Sequence, residues 1–295
     1  MNESKVIVGI GEALWEILPE GKKIGGAPAN FAYHVSQFGL QSYVVSAVGE
    51  DTLGEEIRNT FQKKELQSLL ATVPYPTGTV DVEVDEVGVP QYIIKENVAW
   101  DNIPFTPELE ALAHRTCAVC FGSLAQRNSV SRDTIHRFID AMLECDESLI
   151  IFDVNLRQGF YNKEILDYSM QRCNVLKIND EELVEVSRIL GYPDIDFQSQ
   201  CQSLLEHYHL RMLILTCGIN GSYIFTSGNT SFLPTPQVKV ADTVGAGDSF
   251  TATFTASILK GLSVTEAHRR AVAASAYVCT QHGAMPLLPK EFTTL

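Results

Sequence analysis

Positive charge is scarce in this chain: 22 lysines and arginines stand against 36 aspartates and glutamates, a formal net charge of −14 over 295 residues. Nucleic acid and anionic membrane surfaces require clustered Lys and Arg to displace counterions, so both are disfavoured as partners. Any bound phosphate must be met locally, by backbone amides, a few basic side chains or a metal. Long apolar runs are missing as well. None reaches the roughly 18 residues of a membrane span, and residues 1–5 lead into a strand-like 6–10 without a signal-peptide pattern, so a cytoplasmic protein is expected. The seven cysteines are odd in number, and most, like Cys120 and Cys217, lie in apolar surroundings that suit reduced, buried thiols. Cys117 and Cys120 form a C-x-x-C, but no second pair or nearby His completes a zinc set, and a strand would put the two thiols on opposite faces. No G-x-x-x-x-G-K-[ST] occurs, which excludes a P-loop. Gly9-Ile10-Gly11-Glu12-Ala13-Leu14 begins like a dinucleotide fingerprint, but Leu14 stands where the third Gly or Ala is needed, which disfavours a Rossmann dehydrogenase. Internal repeats, low-complexity segments and long linkers are also absent.

What is present is a large apolar fraction, 45%, enough for one large domain or for one domain with a small appendage. Short apolar runs at 6–10, 43–48, 118–121, 149–152, 175–178 and 212–215 read as buried strands. Amphipathic stretches at 30–38, 54–64, 132–144, 181–190 and 197–207 read as helices between them. This βαβα rhythm predicts a mainly parallel sheet with helices on both faces and ligands beyond the carboxyl ends of its strands.

The rhythm breaks at 77–100. Residues 79–85 alternate apolar and charged, and a turn at 88–90 leads into 91–94, which predicts a half-exposed antiparallel hairpin. With residues 13–24 it would form a small sheet standing off the body. Such a sheet suits a lid that excludes water, an oligomer contact, or both. Its edges suit a homodimer, whereas a charged edge of Asp81, Glu83 and Asp85 would prevent pairing.

The most informative stretch is Asp242-Thr243-Val244-Gly245-Ala246-Gly247-Asp248-Ser249-Phe250. Small residues at 245–247 let the backbone approach a ligand, and the apolar spacing that follows predicts a helix. A glycine-rich turn opening a helix is an anion site, because free N–H groups and the positive end of the dipole point at the bound group. Asp248 is out of place there, since a carboxylate repels phosphate. It is either an N-terminal cap or a base facing a substrate hydroxyl. A second glycine-rich turn, Gly25-Gly26-Ala27-Pro28-Ala29-Asn30-Phe31-Ala32, also leads into a helix, and Asn30 offers the donor and acceptor that a sugar hydroxyl requires.

These two turns, together with 39–54 ending Val48-Gly49-Glu50-Asp51-Thr52-Leu53-Gly54, closely resemble the two signatures of the ribokinase-like (PfkB) carbohydrate kinases. The resemblance runs in order from Gly11-Glu12 to Gly283-Ala284. It implies a Rossmann-like α/β fold with a mainly parallel sheet flanked by helices and a small β-sheet lid, with 1–12, 25–76 and 101–295 as the α/β domain and 13–24 and 77–100 as the lid. It further implies Asp248 as catalytic base and the amides of Gly245, Ala246 and Gly247 as anion hole. Asn179-Asp180-Glu181-Glu182 matches the family's N-x-x-E element, in which Asn179 and Glu182 organise Mg²⁺ and its waters; the pattern also reads as a helix cap, and the two roles are compatible. Asp153 would add an acidic group there. Thr216, Gly218 and Gly221 match the loop beside ATP, and 274–283, with Ala274 and Gly283 at its ends, matches the adenine wall.

Family members often hold a monovalent cation near the positions of Asp242 and Gly283. Leu287 lacks the oxygen that some relatives offer, which argues against potassium dependence here. For the acceptor, the resemblance assigns Glu16, Gly26, Asn30, Asn97, Asp101 and Arg157. Arg157 suits either a hexose hydroxyl or the carboxylate of 2-keto-3-deoxygluconate. The wording of 11–16, 25–30 and 152–157 is most similar to the fructokinase branch, so fructose phosphorylated on its 6-hydroxyl is the expected reaction. Glu16, where Asp is common, and Trp100 before Asp101 depart from that branch. A catalytically silent sugar sensor on the same fold is the non-enzymatic alternative.

Overall fold

The structure, a computed structural model, describes residues 6–19, 21–84, 90–142, 148–193 and 195–294. Its strands in chain order are β1 (Val6–Ile10), β2 (Leu14–Leu18), β3 (Gly21–Gly25), β4 (Ser42–Gly49), β5 (Gln67–Val73), β6 (Gly78–Val84), β7 (Pro90–Ile94), β8 (Thr116–Gly122), β9 (Leu149–Asp153), β10 (Val175–Asn179), β11 (Met212–Thr216), β12 (Ser222–Thr226) and β13 (Asn229–Leu233). The helices are α1 (Ala27–Ser36), α2 (Thr52–Lys63), α3 (Pro107–Ala113), α4 (Ser129–Ala141), α5 (Lys163–Arg172), α6 (Asp180–Leu190), α7 (Phe197–His207), α8 (Ala246–Leu259), α9 (Val264–Val278) and α10 (Lys290–Thr293).

Nine strands form one sheet in the order β13-β12-β11-β10-β9-β8-β1-β4-β5. From β11 to β5 every pairing is parallel, and β12 runs antiparallel to both of its neighbours. Alternation along the strands feeds two cores. Val6, Val8, Ile10, Val119, Phe121, Leu176 and Leu213 meet α4, α5, α6 and α7, whereas Ile7, Ala118, Cys120, Ile151 and Ile214 meet α1, α8 and α9. Strands this apolar on both faces are what a parallel sheet covered on both sides requires. The chain leaves β1 toward β4 on one side and returns to β8 on the other, so the strand order switches beside the carboxyl end of β1, where open α/β sheets bind ligands.

A second sheet of four strands, β3-β2-β6-β7, is built from the two segments expected to stand off the body. The β6–β7 hairpin is antiparallel as expected, but β2 and β6 pair in parallel, so the small sheet is mixed. One expectation fails here. Strand β6 lies inside the sheet, so Asp81 is not on an edge; it pairs with Lys95 at 2.7 Å, and the edges are β3 and β7. Asp85, the turn residues 88–89, residues 143–144 of the expected fourth helix and the 1–5 lead-in lie outside the described residues.

Helices α1 and α8 begin about three residues before the apolar spacing shows. In each the first turn is the glycine-rich segment itself, whose composition conceals its helicity. Periodicity alone did not single out β5, β12, β13, α3, α5, α9 or α10, and β13 is a mostly exposed edge strand with little apolar signal. Six of the cysteines, among the described residues, are free thiols. No helix of the described residues is long and apolar enough to cross a membrane.

Helix α1 lies directly on β1. A Cβ on Gly9 would come within 2.1 Å of the Pro28 carbonyl oxygen, so the close approach of helix to strand depends on the bare Cα. The same helix reaches across to residues 284–288: His34 Nε2 meets the Ala284 carbonyl at 2.9 Å, and Gln37 accepts from the Leu288 amide at 2.7 Å. Gly9→Ala is therefore expected to lower stability by about 1–3 kcal/mol through overpacking, read as a fall in the denaturant midpoint at unchanged slope. An unaltered midpoint would show that α1 can shift outward without cost.

Candidate active site

The carboxyl ends of β1, β8, β9 and β10 and the N-termini of α1 and α8 converge. Helix α8 opens on Gly245, whose φ of 79° is left-handed and whose Cα packs against Ala284, where a Cβ would meet three Ala284 atoms at 2.8 Å. The first intrahelical bond runs from the Ser249 amide to the Gly245 carbonyl at 2.8 Å, so the amides of Gly247 and Asp248 precede the helical ladder. The Ala246 amide is turned back onto Thr243 O at 3.3 Å. Of the three amides expected in the anion hole, this one already has a partner.

Asp248 is half-buried in that first turn and makes no cap bond. Its Oδ2 accepts from Asn30 Nδ2 at 2.7 Å, which brings the two glycine-rich turns of the sequence together. Asn30 is 3% exposed and its Oδ1 has no partner. Burial, and after it the charge of Asp153, push the Asp248 carboxyl up to about 6, against the Asn30 hydrogen bond and the charges of Lys177 and Arg157. A carboxylate so placed is a competent proton acceptor near neutral pH.

Lys177 was not anticipated. It stands in the buried run Val175-Leu176-Lys177-Ile178-Asn179, and a lone Lys in a strand buried on both faces is the signal that could have found it. Its Nζ pairs with Asp153 Oδ1 at 3.0 Å and lies 3.2 Å from where a Gly247 Cβ would be. Burial alone would lower its pKa, but Asp153 and Glu182 outweigh burial and hold the ammonium charged. A fixed positive charge therefore sits beneath the helix turn that would face a phosphoryl group, and Asp153 is its partner.

Glu12 was likewise passed over as part of a decoy glycine motif. It is 3% exposed, its Oε1 accepts weakly from the Ala27 amide at 3.3 Å, and its Oε2 has no partner. Burial pushes it up to about 7, with Asp248 adding to the rise and Arg157 opposing it. Among the acceptor residues, Gly26 is the N-cap of α1, its Cα set against the Glu12 carbonyl. Half-buried Glu16 is raised by burial and by Asp242, against Lys23. Arg157 is exposed, and its charge bears on Glu12, Glu16 and Asp248. Asn97, exposed with φ 55°, follows β7. Asp101 is 1% exposed, and both its oxygens accept from Arg127, at 2.7 and 2.8 Å.

On the other side, Thr216 ends β11 and Gly218 and Gly221 bound a short 3₁₀ turn beside it. Ala274 is fully buried in α9, so it can support the wall but not line it, and the Gly283 amide donates to Asp242 Oδ2 at 3.1 Å. Asp242 also accepts from the Val244 amide and stands 3.7 Å from Lys23 of the small sheet. Asn179 and Glu182 make a reciprocal capping box on α6, with Glu182 Oε1 accepting in addition from the Leu156 amide at 3.0 Å. No three His, Cys, Asp or Glu among the described residues cluster as a metal cage. An all-oxygen pair of this kind suits Mg²⁺ that keeps most of its waters and arrives with phosphates.

With this geometry in place, the family model for pfkB family carbohydrate kinases matches residues 20–291. The chain belongs to that family. Sugar kinases of the family include a fructokinase of Salmonella typhimurium, 29% identical over 302 residues and covering 96% of this chain and 95% of the relative. An ATP-dependent 6-phosphofructokinase of Thermoanaerobacterium thermosaccharolyticum is 27% identical over 274 residues, covering 91% and 82%. The crystal structure of the fructokinase of Xylella fastidiosa with bound ATP superposes with a TM-score of 0.85 at 20% identity over 97% of this chain and 95% of that one. The fold is thus that of the ribokinase-like kinases, as the sequence resemblance implied.

The three raised carboxyls, Glu12, Glu16 and Asp248, make stability depend on pH. Folded Glu12 titrates near 7 and unfolded Glu12 near 4.5, so between those values the folded chain binds more protons than the unfolded chain and stability falls as pH rises. Glu12→Gln removes this dependence at one site. The Tm of E12Q minus that of the unaltered protein is expected to widen as pH rises from about 4.5 through 7; a difference that stays flat across that window would mean that Glu12 is not buried as a raised carboxyl.

Proposed function

We propose that this sugar kinase transfers the γ-phosphoryl group of ATP to a neutral sugar, with fructose and its 6-hydroxyl as the first choice. The observation that carries the reading is the Asn30–Asp248 pair at the mouth of the α8 turn, where a base for a hydroxyl and an anion-binding helix start coincide. The sugar would lie against Glu16, Gly26, Asn30, Asn97 and Arg157. Glu12, Glu16 and Asp248, all held above the usual carboxylate range by burial, give this side groups that bind hydroxyls more than anions, which supports a neutral sugar over one already phosphorylated. The nucleotide would lie over Thr216, Gly218 and Gly221 and against the region of Ala274 and Gly283.

In the step itself Asp248 takes the hydroxyl proton while the sugar oxygen bonds to the γ-phosphorus. The bond from that phosphorus to the β,γ-bridging oxygen breaks, and ADP leaves. The amides of Gly245 and Gly247 and the Lys177 ammonium would meet the charge on the transferring group, a stabilisation that depends on positioning. Mg²⁺, carried by Asn179 and Glu182, would neutralise part of the phosphate charge. Residues 13–24 and 77–100 would act as the lid over the sugar, with the rest of the chain as the α/β domain, and Lys23 would bring the lid to the Asp242 loop.

Asp248→Ala is expected to cut kcat by about 10²–10⁴-fold while ATP still protects against thermal unfolding. The kcat/KM of the unaltered enzyme should fall as pH drops through about 6, the limb set by Asp248. ADP release with fructose, 2-keto-3-deoxygluconate, ribose, tagatose and adenosine identifies the acceptor. Sugar-dependent stabilisation without ADP would replace the kinase reading with that of a sensor.

A further inference from the structure

Glu182 does more than cap α6. A capping box needs one oxygen of its Glu or Gln, and here Oε2 supplies it by accepting from the Asn179 amide at 3.0 Å. The other oxygen, Oε1, reaches away from the helix and accepts from the Leu156 amide at 3.0 Å, 26 residues distant in the loop between β9 and α5. Glu182 is 6% exposed, so both bonds are made by a carboxylate out of water, where charge-assisted bonds to N–H groups are strong. Glutamine could serve the cap but not both bonds, because its amide nitrogen would set a donor against a donor.

The loop so held is the one that carries Arg157. Leu156 passes the contact on, since its amide is bound by Glu182 and its carbonyl accepts from Arg157 Nη1 at 2.9 Å. On either side of this pair, Asn155 with φ 42° and Gln158 with φ 49° hold left-handed backbone conformations, which residues other than glycine adopt at a cost and keep only where their surroundings impose them. Upstream the Val154 amide is fastened to the Lys177 carbonyl at 3.0 Å, and downstream the Phe160 amide closes a turn onto the Arg157 carbonyl at 3.1 Å. Three residues further along α6, Glu185 accepts from the Tyr161 hydroxyl at 3.3 Å, so one face of the helix grips the loop twice. The stretch between these grips, Arg157, Gln158 and Gly159, is exposed and belongs to no strand or helix.

We propose that Glu182 is a positioning residue for Arg157, fixing through the Leu156 backbone the direction from which the guanidinium meets the acceptor. This role rests on the sugar-kinase reading, in which the acceptor lies against Arg157, and it is separate from any service to Mg²⁺ at the phosphates. The two sides of the site then meet in one carboxylate, because Glu182 also helps to hold Lys177 charged. Turnover mixes these effects, whereas acceptor binding without metal or nucleotide isolates the first.

Sugar binding is measured by calorimetry with EDTA present and no nucleotide, using fructose first and then the other sugars named above. Glu182→Gln is expected to weaken binding about 10-fold. Arg157→Ala weakens it too, but adding E182Q to R157A should change the affinity by less than about 2-fold, because the carboxylate acts through the guanidinium. A second measurement needs no variant and so does not depend on how one folds. In the unaltered protein the Leu156 amide should exchange its hydrogen at least about 10-fold more slowly than an unstructured loop amide. Unchanged sugar affinity in E182Q with only a higher Mg²⁺ requirement for ADP release, losses that multiply in the double variant, or fast exchange at Leu156 would each overturn the positioning role. Sugar binding that shows the coupling of 157 to 182 without ADP release would uphold it and defeat the kinase reading, and a chain that binds none of the sugars defeats both.

Discussion

One hydrogen bond, from Asn30 to Asp248, sets the terms for the rest of the site. It joins the first turns of two helices whose residues lie 218 positions apart, and it fixes the orientation of a carboxylate placed against the preference of its surroundings. A helix start attracts anions, and Asp248 is itself an anion. The conflict is contained by Asn30, by the ammonium of Lys177 nearby and by burial that raises the carboxyl toward neutrality. Moving α1 off β1 would release Asn30, which is why the bare Cα of Gly9 on the sheet matters to chemistry several residues away.

Electrostatics here are local and not global. A chain with a formal charge of −14 has little long-range attraction to offer a nucleotide, so positive potential is concentrated where it is needed. Lys177 is the clearest case. It is buried, held charged by Asp153 and Glu182, and placed against the open side of the Gly247 Cα. A buried ion pair gives little net stability, since desolvation offsets the attraction. Its position beside the glycine-rich start of α8, where we propose that a phosphoryl group binds, is a better account of its presence than folding energy is.

Much of this was legible in the sequence. Apolar runs located the core strands because parallel strands are covered on both faces, and the alternation at 79–85 located the small sheet because one of its faces meets solvent. The glycine-rich turns announced Asp248 and Asn30, although only the folded chain shows them bonded. What escaped has physical reasons. Glu12 looks like an ordinary charge in one dimension and its weight comes from burial, whereas Lys177 stands out only as a lone charge inside an apolar run, a signal that was passed over. Arg127 had no signal at all, because its partners come from two distant segments, Trp100 and Asp101 from one short turn and Phe160 from another. Asp101 was read as a free ligand, whereas Arg127 holds its carboxylate. The charged strand β6 was taken for an edge because alternation reports a strand's faces and is silent about its neighbours.

The clasp of α1 on residues 284–288 bears on how the protein is made. His34 lies in the first helix and Gln37 caps it, and their partners Ala284, Pro286 and Leu288 emerge from the ribosome about 250 residues later. Until then α1 can rest on β1 and β4, but one side of it has nothing to hold. The helix that carries Asn30 is thus among the first elements synthesised and among the last to be locked. Such long-range closure favours slow folding, and it leaves the nascent chain without a finished site throughout most of its synthesis.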